Sequence, residues 1–185
     1  MTDIAIDAAF DSGNIEVLSI ADTAATLKIR RDRGSDFFQW FHFRVSQCAG
    51  RELTLRVTGL NKSAYPGGWP GYRAAVSDDR EFWGRAETSF DAGAEDGTLT
   101  ITYQPSGNMV WFAYFAPYSM ERHHDLVSGA ALAEGVTHRV LGRSIEGQPI
   151  DSSSWVRGPS RCGFMPASIR AKAWPNGGWK ARLTG

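Results

Sequence analysis

The stretch that decides the fold is Phe37-Phe38-Gln39-Trp40-Phe41-His42-Phe43-Arg44-Val45. Successive side chains of a β-strand point to opposite faces, so a period of two in the apolar pattern marks a half-buried strand. One face would carry Phe37, Phe41, Phe43 and Val45, and the other Phe38, Trp40, His42 and Arg44. The first of these faces can enter a hydrophobic core.

The same alternation continues on both sides of this stretch. It recurs in Leu27 with Ile29, in Leu53, Leu55 and Val57, in Leu99, Ile101 and Tyr103, and in Val110, Phe112 and Tyr114. Glycine, asparagine, aspartate or proline bounds each segment, as expected of turns between short strands. The sequence therefore predicts a mainly β protein whose core is an antiparallel β-sandwich of about seven to nine strands.

The pattern changes after Phe115. Pro117 is unsuited to a central strand, and Ser119 is a good N-cap for a helix from Met120 to Leu132 that Gly135 can end. Two short strands with a turn between them follow. We predict a sandwich over 1–118, a connecting helix over 119–135, the opening hairpin of another domain over 136–151 and a poorly packed tail over 152–185.

Composition fits one ordinary globular domain with part of a second. The chain has 185 residues, 42% of them hydrophobic, so it needs no disulfide framework or structural metal for stability. Its two cysteines, Cys48 and Cys162, are too sparse for a secreted scaffold. The first ten residues lack a basic segment followed by an apolar run. We expect a cytoplasmic protein with no membrane span.

The charge is unevenly distributed. The chain carries 20 basic and 20 acidic residues, but no acidic residue lies after Asp151, where six basic ones remain. These six are scattered singly among three tryptophans. A nucleic-acid-binding segment would show denser clustering or a recognisable module, so no nucleic-acid partner is predicted.

Three groups of residues could carry chemistry, and each has a structural explanation that fits better. His123 and His124 point about 100° apart on a helix, which disfavours a shared metal ion. Segment 142–147 has a serine between glycines but lacks the spacing of a nucleophile elbow, so a hairpin turn is predicted. Asp78, Asp79 and Glu81 fit a turn in which carboxylates cap backbone amides.

The loop Tyr65-Pro66-Gly67-Gly68-Trp69-Pro70-Gly71-Tyr72 is rich in aromatic residues and rigid. Tyr65, Trp69 and Tyr72 could stack against a ligand. Proline and glycine could equally fix a turn while Trp69 and Tyr72 close the end of the sandwich, and this structural role is favoured.

Three motifs together resemble a known family. They are Ser35 to Val45, Tyr65 to Tyr72, and Tyr114-Phe115-Ala116-Pro117-Tyr118-Ser119, in this order and spacing. They resemble the N-terminal β-sandwich domain of the cytosolic carboxypeptidases, a branch of the zinc metallocarboxypeptidases. The resemblance covers about residues 11–151. Residues 139–151 look like the first strand and hairpin of that family's α/β carboxypeptidase domain.

The resemblance implies a catalytic domain in cis that binds zinc and removes C-terminal residues from peptides. It also implies an interface with that domain, for which the candidate residues are Phe115, Pro117, Tyr118, Ser119 and Leu126. The alternative is a free-standing sandwich that binds peptide or carbohydrate through the Tyr65 to Tyr72 loop. An uncovered apolar patch favours the first, and a concave aromatic site favours the second.

The family's zinc motif, His-Pro-Gly-Glu, is expected soon after Asp151 and is absent, so neither a zinc site nor a catalytic residue is predicted in this chain. Back-translation of Met165 to Pro175 with suitable third bases, shifted by one base, reads Tyr-Ala-Arg-Gln-His-Pro-Gly-Glu-Ser-Met-Ala. We therefore expect that the reading frame changes near Asp151 or Ser152, and that the chain as written does not hydrolyse peptides.

Overall fold

The computed structural model describes residues 2–157 and 161–163, which form two compact units. The first unit contains the described residues up to Pro117, and the second begins at Tyr118. None of the helices among the described residues is long and apolar enough to cross a bilayer.

Ten strands build the first unit. They are β1 (Ala5–Asp7), β2 (Glu16–Ala21), β3 (Ala24–Lys28), β4 (His42–Ser46), β5 (Leu53–Thr58), β6 (Ala75–Ser77), β7 (Gly84–Arg85), β8 (Glu87–Asp91), β9 (Thr98–Tyr103) and β10 (Met109–Ala113). Two short 3₁₀ helices, Leu60–Lys62 and Pro66–Gly68, lie between β5 and β6. The count exceeds the predicted seven to nine because β1 and β7 have only three and two residues, too few to show an alternating pattern.

The strands form two five-stranded sheets, in the orders β1-β4-β10-β6-β7 and β2-β3-β5-β9-β8. One hydrophobic core takes side chains from both sheets, which confirms the sandwich. In β5 the predicted alternation is exact: Leu53, Leu55 and Val57 are buried, while Thr54 and Arg56 are partly exposed.

One pair of strands departs from the predicted antiparallel arrangement. β3 and β5 are parallel, with Leu27 opposite Val57. The chain leaves this sheet after β3, contributes β4 to the other sheet, and returns as β5 in the original direction. A parallel pair requires such a crossover, and strand periodicity alone does not reveal it.

The predicted facing of the stretch from Phe37 to Val45 is correct only for its second half. Phe41, Phe43 and Val45 are fully buried, but Phe37 is 67% exposed and Phe38 is buried instead. The reason is that β4 begins at His42, so residues 37–41 are not a strand and their side chains do not alternate.

The described residues of the second unit form one helix and a three-stranded antiparallel sheet. Helix α1 (Met120–Ala131) precedes β11 (Val136–Arg143), β12 (Pro149–Arg157) and β13 (Arg161–Gly163), and the sheet order is β11-β12-β13. The helix and the hairpin lie where the sequence predicts them. β12 extends six residues beyond Asp151, into the segment expected to be poorly packed, and most of that segment lies outside the described residues.

Candidate functional site

The aromatic loop closes the sandwich as a structural element. Trp69 is fully buried, and its indole N–H donates to Ser63 Oγ at 2.8 Å. Its ring lies 5.3 Å from Tyr72 and 5.5 Å from Tyr114, edge to face in both cases. Trp69 is therefore inaccessible to a ligand and serves the core.

Tyr72 and Tyr65 differ in accessibility. The Tyr72 ring stacks on Tyr114 at 5.0 Å, its hydroxyl donates to the Tyr114 carbonyl at 2.5 Å, and burial raises the pKa of Tyr72 above its usual range. Tyr65 is 63% exposed. Its ring lies 2.5 Å from the position that a Cβ on Gly68 would occupy, so a side chain at position 68 would require the exposed Tyr65 ring to move.

A shallow, open pocket lies beside Tyr72, with a volume of about 430 Å³. Its lining residues all belong to the first unit: Gly71, Tyr72, Arg73, Arg85, Tyr114 and Phe115. The pocket joins an aromatic floor to two guanidinium groups. Arg73 and Arg85 do not belong to any motif identified in the sequence, and only the pairing of β6 with β7 brings them together.

Two of the predicted interface residues lie at the end of the first unit. Phe115 is half-buried and packs against Trp40 at 4.8 Å and Tyr114 at 5.8 Å. Pro117 is also half-buried. Both lie directly after the last strand of the sandwich, where the chain leaves this unit.

The other three candidate interface residues belong to the second unit. Ser119 caps helix α1, since its hydroxyl accepts a hydrogen bond from the Arg122 N–H at 3.3 Å. The Tyr118 hydroxyl donates to the Arg122 carbonyl, and Tyr118 remains 44% exposed. Leu126 is 60% exposed. None of the residues of α1 is buried, although Val127 and Ala130 are partly covered.

His123 is tied to the hairpin. Asp151 accepts from His123 Nε2 at 2.8 Å through one carboxylate oxygen and lies 3.3 Å from His138 Nε2 through the other. Both imidazoles thus direct Nε2 at the same carboxylate and not at a common ion. The described residues contain no group of three or more side chains able to hold a metal, and this cluster does not fit a zinc site.

The sequence did not reveal that His42, on the outer face of its sheet, is a buried polar residue. It is 2% exposed and is enclosed by the rings of Phe10, Trp40, Trp83 and Trp111. Burial, together with the nearby Arg80 guanidinium, lowers the pKa of His42 to about 4. The signal in the sequence is a histidine between Phe41 and Phe43, but the covering aromatic rings come from distant segments.

The two ring nitrogens of His42 differ in their contacts. Ser12 Oγ lies 2.9 Å from His42 Nδ1. The buried Nε2 has no hydrogen-bond partner among the described residues.

The turn predicted for Asp78, Asp79 and Glu81 is confirmed in part. Asp79 accepts from the backbone N–H groups of Glu81 and Phe82, each at 2.8 Å, and these bonds lower its pKa. Asp78 is not a solvated turn residue, because it accepts from the hydroxyls of Tyr103 and Ser106. The segment 142–147 forms the predicted hairpin turn, closed by the bond from the Gly147 N–H to the Ser144 carbonyl.

Known proteins are similar to nearly the whole chain. An uncharacterised protein of Zymomonas mobilis subsp. mobilis is 44% identical over 183 residues, which cover 97% of this chain and 47% of that protein. Only 3% of the chain lies outside this match. Residues 152–185 make up a much larger share of the chain, so the match includes most of that segment. If the tail were out of frame, similarity to a relative would not be expected in this segment.

Solved structures agree with the fold. A metallo-carboxypeptidase from Burkholderia cenocepacia has a TM-score of 0.76 and 34% identity, covering 83% of this chain and 40% of its own. A metallo-carboxypeptidase from Pseudomonas aeruginosa in complex with (2-guanidinoethylmercapto)succinic acid has a TM-score of 0.77 and 41% identity, covering 84% and 41%. The chain thus spans less than half the length of these relatives.

The family model locates the likeness within the sandwich. Residues 6–115 match the cytosolic carboxypeptidase N-terminal domain, a range that begins within β1 and ends just after β10. The chain belongs to the family defined by the cytosolic carboxypeptidase N-terminal domain.

Proposed function

We propose that this chain is the amino-terminal part of a zinc metallocarboxypeptidase, in which the sandwich supports a catalytic domain that removes C-terminal residues from peptides. The proposed enzyme is cytoplasmic, in keeping with the sparse cysteines. The observation that carries the proposal is the uncovered apolar surface of the second unit. We assign the helix and hairpin of that unit to the start of the family's α/β domain.

Several large apolar side chains of this unit are exposed. Val140 and Leu141 in β11 are each 53% exposed, and Ile150 in β12 is 47% exposed. Leu126 and Tyr118 add to this surface on the helix side. A sheet or helix is stable when its apolar face packs against another layer, so the exposure supports a further layer supplied by the rest of a longer protein.

Catalysis is assigned to that further part. The described residues offer no set of side chains that fits zinc. We expect the 185-residue chain to leave peptides intact. Its proposed contribution is to support the catalytic domain and to shape access to its cleft.

The experiment is to co-express the chain with the remaining part of the Zymomonas relative and to assay release of C-terminal residues from peptides. We expect the two parts to co-purify and to hydrolyse peptide in a zinc-dependent manner, while the chain alone does not. Leu126→Glu should reduce co-purification at least tenfold, because it introduces a charge into the proposed interface.

Leu18→Glu is the matched control. Leu18 is 51% exposed in β2 of the sandwich, so its substitution should leave co-purification unchanged. Peptide hydrolysis by the chain alone would overturn the assignment of catalysis to another part. Equal losses for the two variants would overturn the assignment of the interface.

A binding module remains the second candidate, and one observation favours it. Trp69 is buried, so only Tyr65 and the edge of Tyr72 remain accessible in the aromatic loop. The pocket beside Tyr72 nevertheless gives the sandwich a concave site of its own. Binding at this pocket is compatible with either function.

A further inference from the structure

The pocket beside Tyr72 contains two like charges. Arg73 lies two residues before β6, and Arg85 ends β7, the edge strand paired with β6. Within the part of the chain that the structure describes, no carboxylate forms an ion pair with either guanidinium. Five other basic side chains of this unit do have an acidic partner. Neighbouring like charges repel, so an anion between them would stabilise this edge.

Both guanidinium groups are held in place by the backbone. Arg73 donates to the carbonyls of Ala86 and Arg85, each at 3.2 Å, and Arg85 donates to the carbonyl of Arg73 at 2.9 Å. An arginine has five N–H donors in a planar fork. Two of these donors are used in Arg73 and one in Arg85, so each side chain is oriented by the protein and keeps N–H groups for a ligand.

The floor of the pocket is aromatic. The faces of Tyr72 and Tyr114 stack on each other, and Phe115 lies edge to face against Tyr114. The Tyr72 hydroxyl already donates to the main chain. The residues that line the pocket therefore combine aromatic rings with oriented cationic donors. This combination suits a carboxylate that is attached to an apolar group.

We propose that the pocket formed by Tyr72, Arg73, Arg85, Tyr114 and Phe115 binds a carboxylate whose attached group is apolar. The arginines hold the carboxylate through charge-assisted hydrogen bonds, and the rings contact the apolar group. All of these residues belong to the sandwich, so the proposal does not rest on the proposed peptidase function. It concerns a ligand site in the N-terminal domain itself.

The probe is 3-phenylpropionate, and its uncharged counterpart is 3-phenylpropanamide. Each is titrated into the ¹⁵N-labelled 185-residue chain while the arginine Nε–H resonances are followed by NMR. We expect 3-phenylpropionate to shift the signals of Arg73 and Arg85 with a Kd on the order of 1 mM, as for other small ligands. The amide should bind at least tenfold more weakly, because it lacks the charge that strengthens these hydrogen bonds.

Variants locate the site. Arg85→Gln should raise the Kd about tenfold, and Arg85→Lys should raise it by less, since lysine keeps the charge but loses the planar fork. Arg33→Gln is the matched control: it removes one positive charge from an exposed position outside the pocket. An unchanged thermal unfolding midpoint shows that Arg85→Gln is folded. If Arg85→Gln is not folded, Arg85→Lys is compared with the unmodified chain instead.

Three results would overturn the proposal. The first is equal binding of the acid and the amide. The second is an equal loss of affinity in Arg33→Gln and the Arg85 variant. The third is binding of inorganic phosphate as tight as that of 3-phenylpropionate, which would show a general anion site without use of the aromatic floor.

Discussion

At the scale of single residues, His42 has the most distinctive environment in the sandwich. It is buried among four aromatic rings, and its ring nitrogen Nε2 has no hydrogen-bond partner in the part of the chain that the structure describes. The lowered pKa of this imidazole means that the folded protein holds it in the neutral form. Its neighbours on the adjacent strand β10 include Trp111, over which the Arg80 guanidinium lies at 4.7 Å.

This environment predicts acid sensitivity. Above the ordinary pKa of 6.5, His42 is neutral in both the folded and the unfolded chain. As the pH falls from 6.5 towards about 4, only the unfolded chain takes up the proton, so stability is lost. Between pH 8 and pH 5 the loss should be about 2 kcal/mol, measured by urea unfolding.

The variant His42→Gln should be less stable at pH 8 but should lose about 2 kcal/mol less on acidification. His124→Gln, at an exposed position of α1, is the control and should keep the full pH dependence. An unaltered pH dependence in His42→Gln would assign the acid sensitivity to another group.

The sequence showed most of the buried residues but not their partners. The alternation around Leu55 and Phe43 predicts which side chains enter the core, because burial on one face of a strand leaves a period of two. The grouping of Arg73 with Arg85, or of Trp83 with His42, depends on contacts between distant segments. No local pattern encodes such contacts.

At the scale of elements, a carboxylate in the hairpin holds helix α1. The carboxylate of Asp151 in β12 accepts a hydrogen bond from His123 of the helix and lies beside His138 of β11. The helix has a good N-cap but no buried residue, so few other contacts stabilise it. Helices of this length are marginal without tertiary contacts.

We therefore expect Asp151→Asn to loosen the helix. The neutral amide weakens both histidine contacts, and amide hydrogen exchange in 120–131 should become about tenfold faster, corresponding to a loss of about 1.4 kcal/mol in local stability. Exchange in the sandwich strands should not change. Asp125→Asn, at an exposed position in the same helix, is the control, and a similar acceleration there would contradict this role for Asp151.

The elements themselves were largely predictable. The cap at Ser119 and the turn at Gly147, whose φ is +83°, follow from local chemistry. The parallel pairing of β3 with β5 was not predictable from periodicity, because it depends on the intervening strand crossing to the other sheet. β1 and β7 are too short to carry a pattern.

At the scale of the whole molecule, the segment after Asp151 poses a question about the gene. The acid-free composition led to the prediction of a shifted reading frame, whereas the relative from Zymomonas aligns with 97% of the chain. The nucleotide sequence of the gene decides between a shifted frame and an in-frame tail. If the frame is shifted, the codons of Ala167 and Ser168 both end in C, and the shifted frame encodes His-Pro-Gly-Glu. A different third base in the Ser168 codon removes the histidine and ends that hypothesis, whereas the third base of the Ala167 codon affects only the residue before the motif.

The order of the strands also governs when the sandwich can form. In one sheet β4 lies between β1 and β10, and in the other β5 lies between β3 and β9. Neither sheet can be completed until residues 98–113, which include β9 and β10, have been synthesised. Half of the strands are synthesised much earlier. Pairing between distant segments slows folding and leaves edges exposed in the meantime. During translation, therefore, the edges of β4 and β5 that will face β10 and β9 stay unpaired until those two strands have left the ribosome.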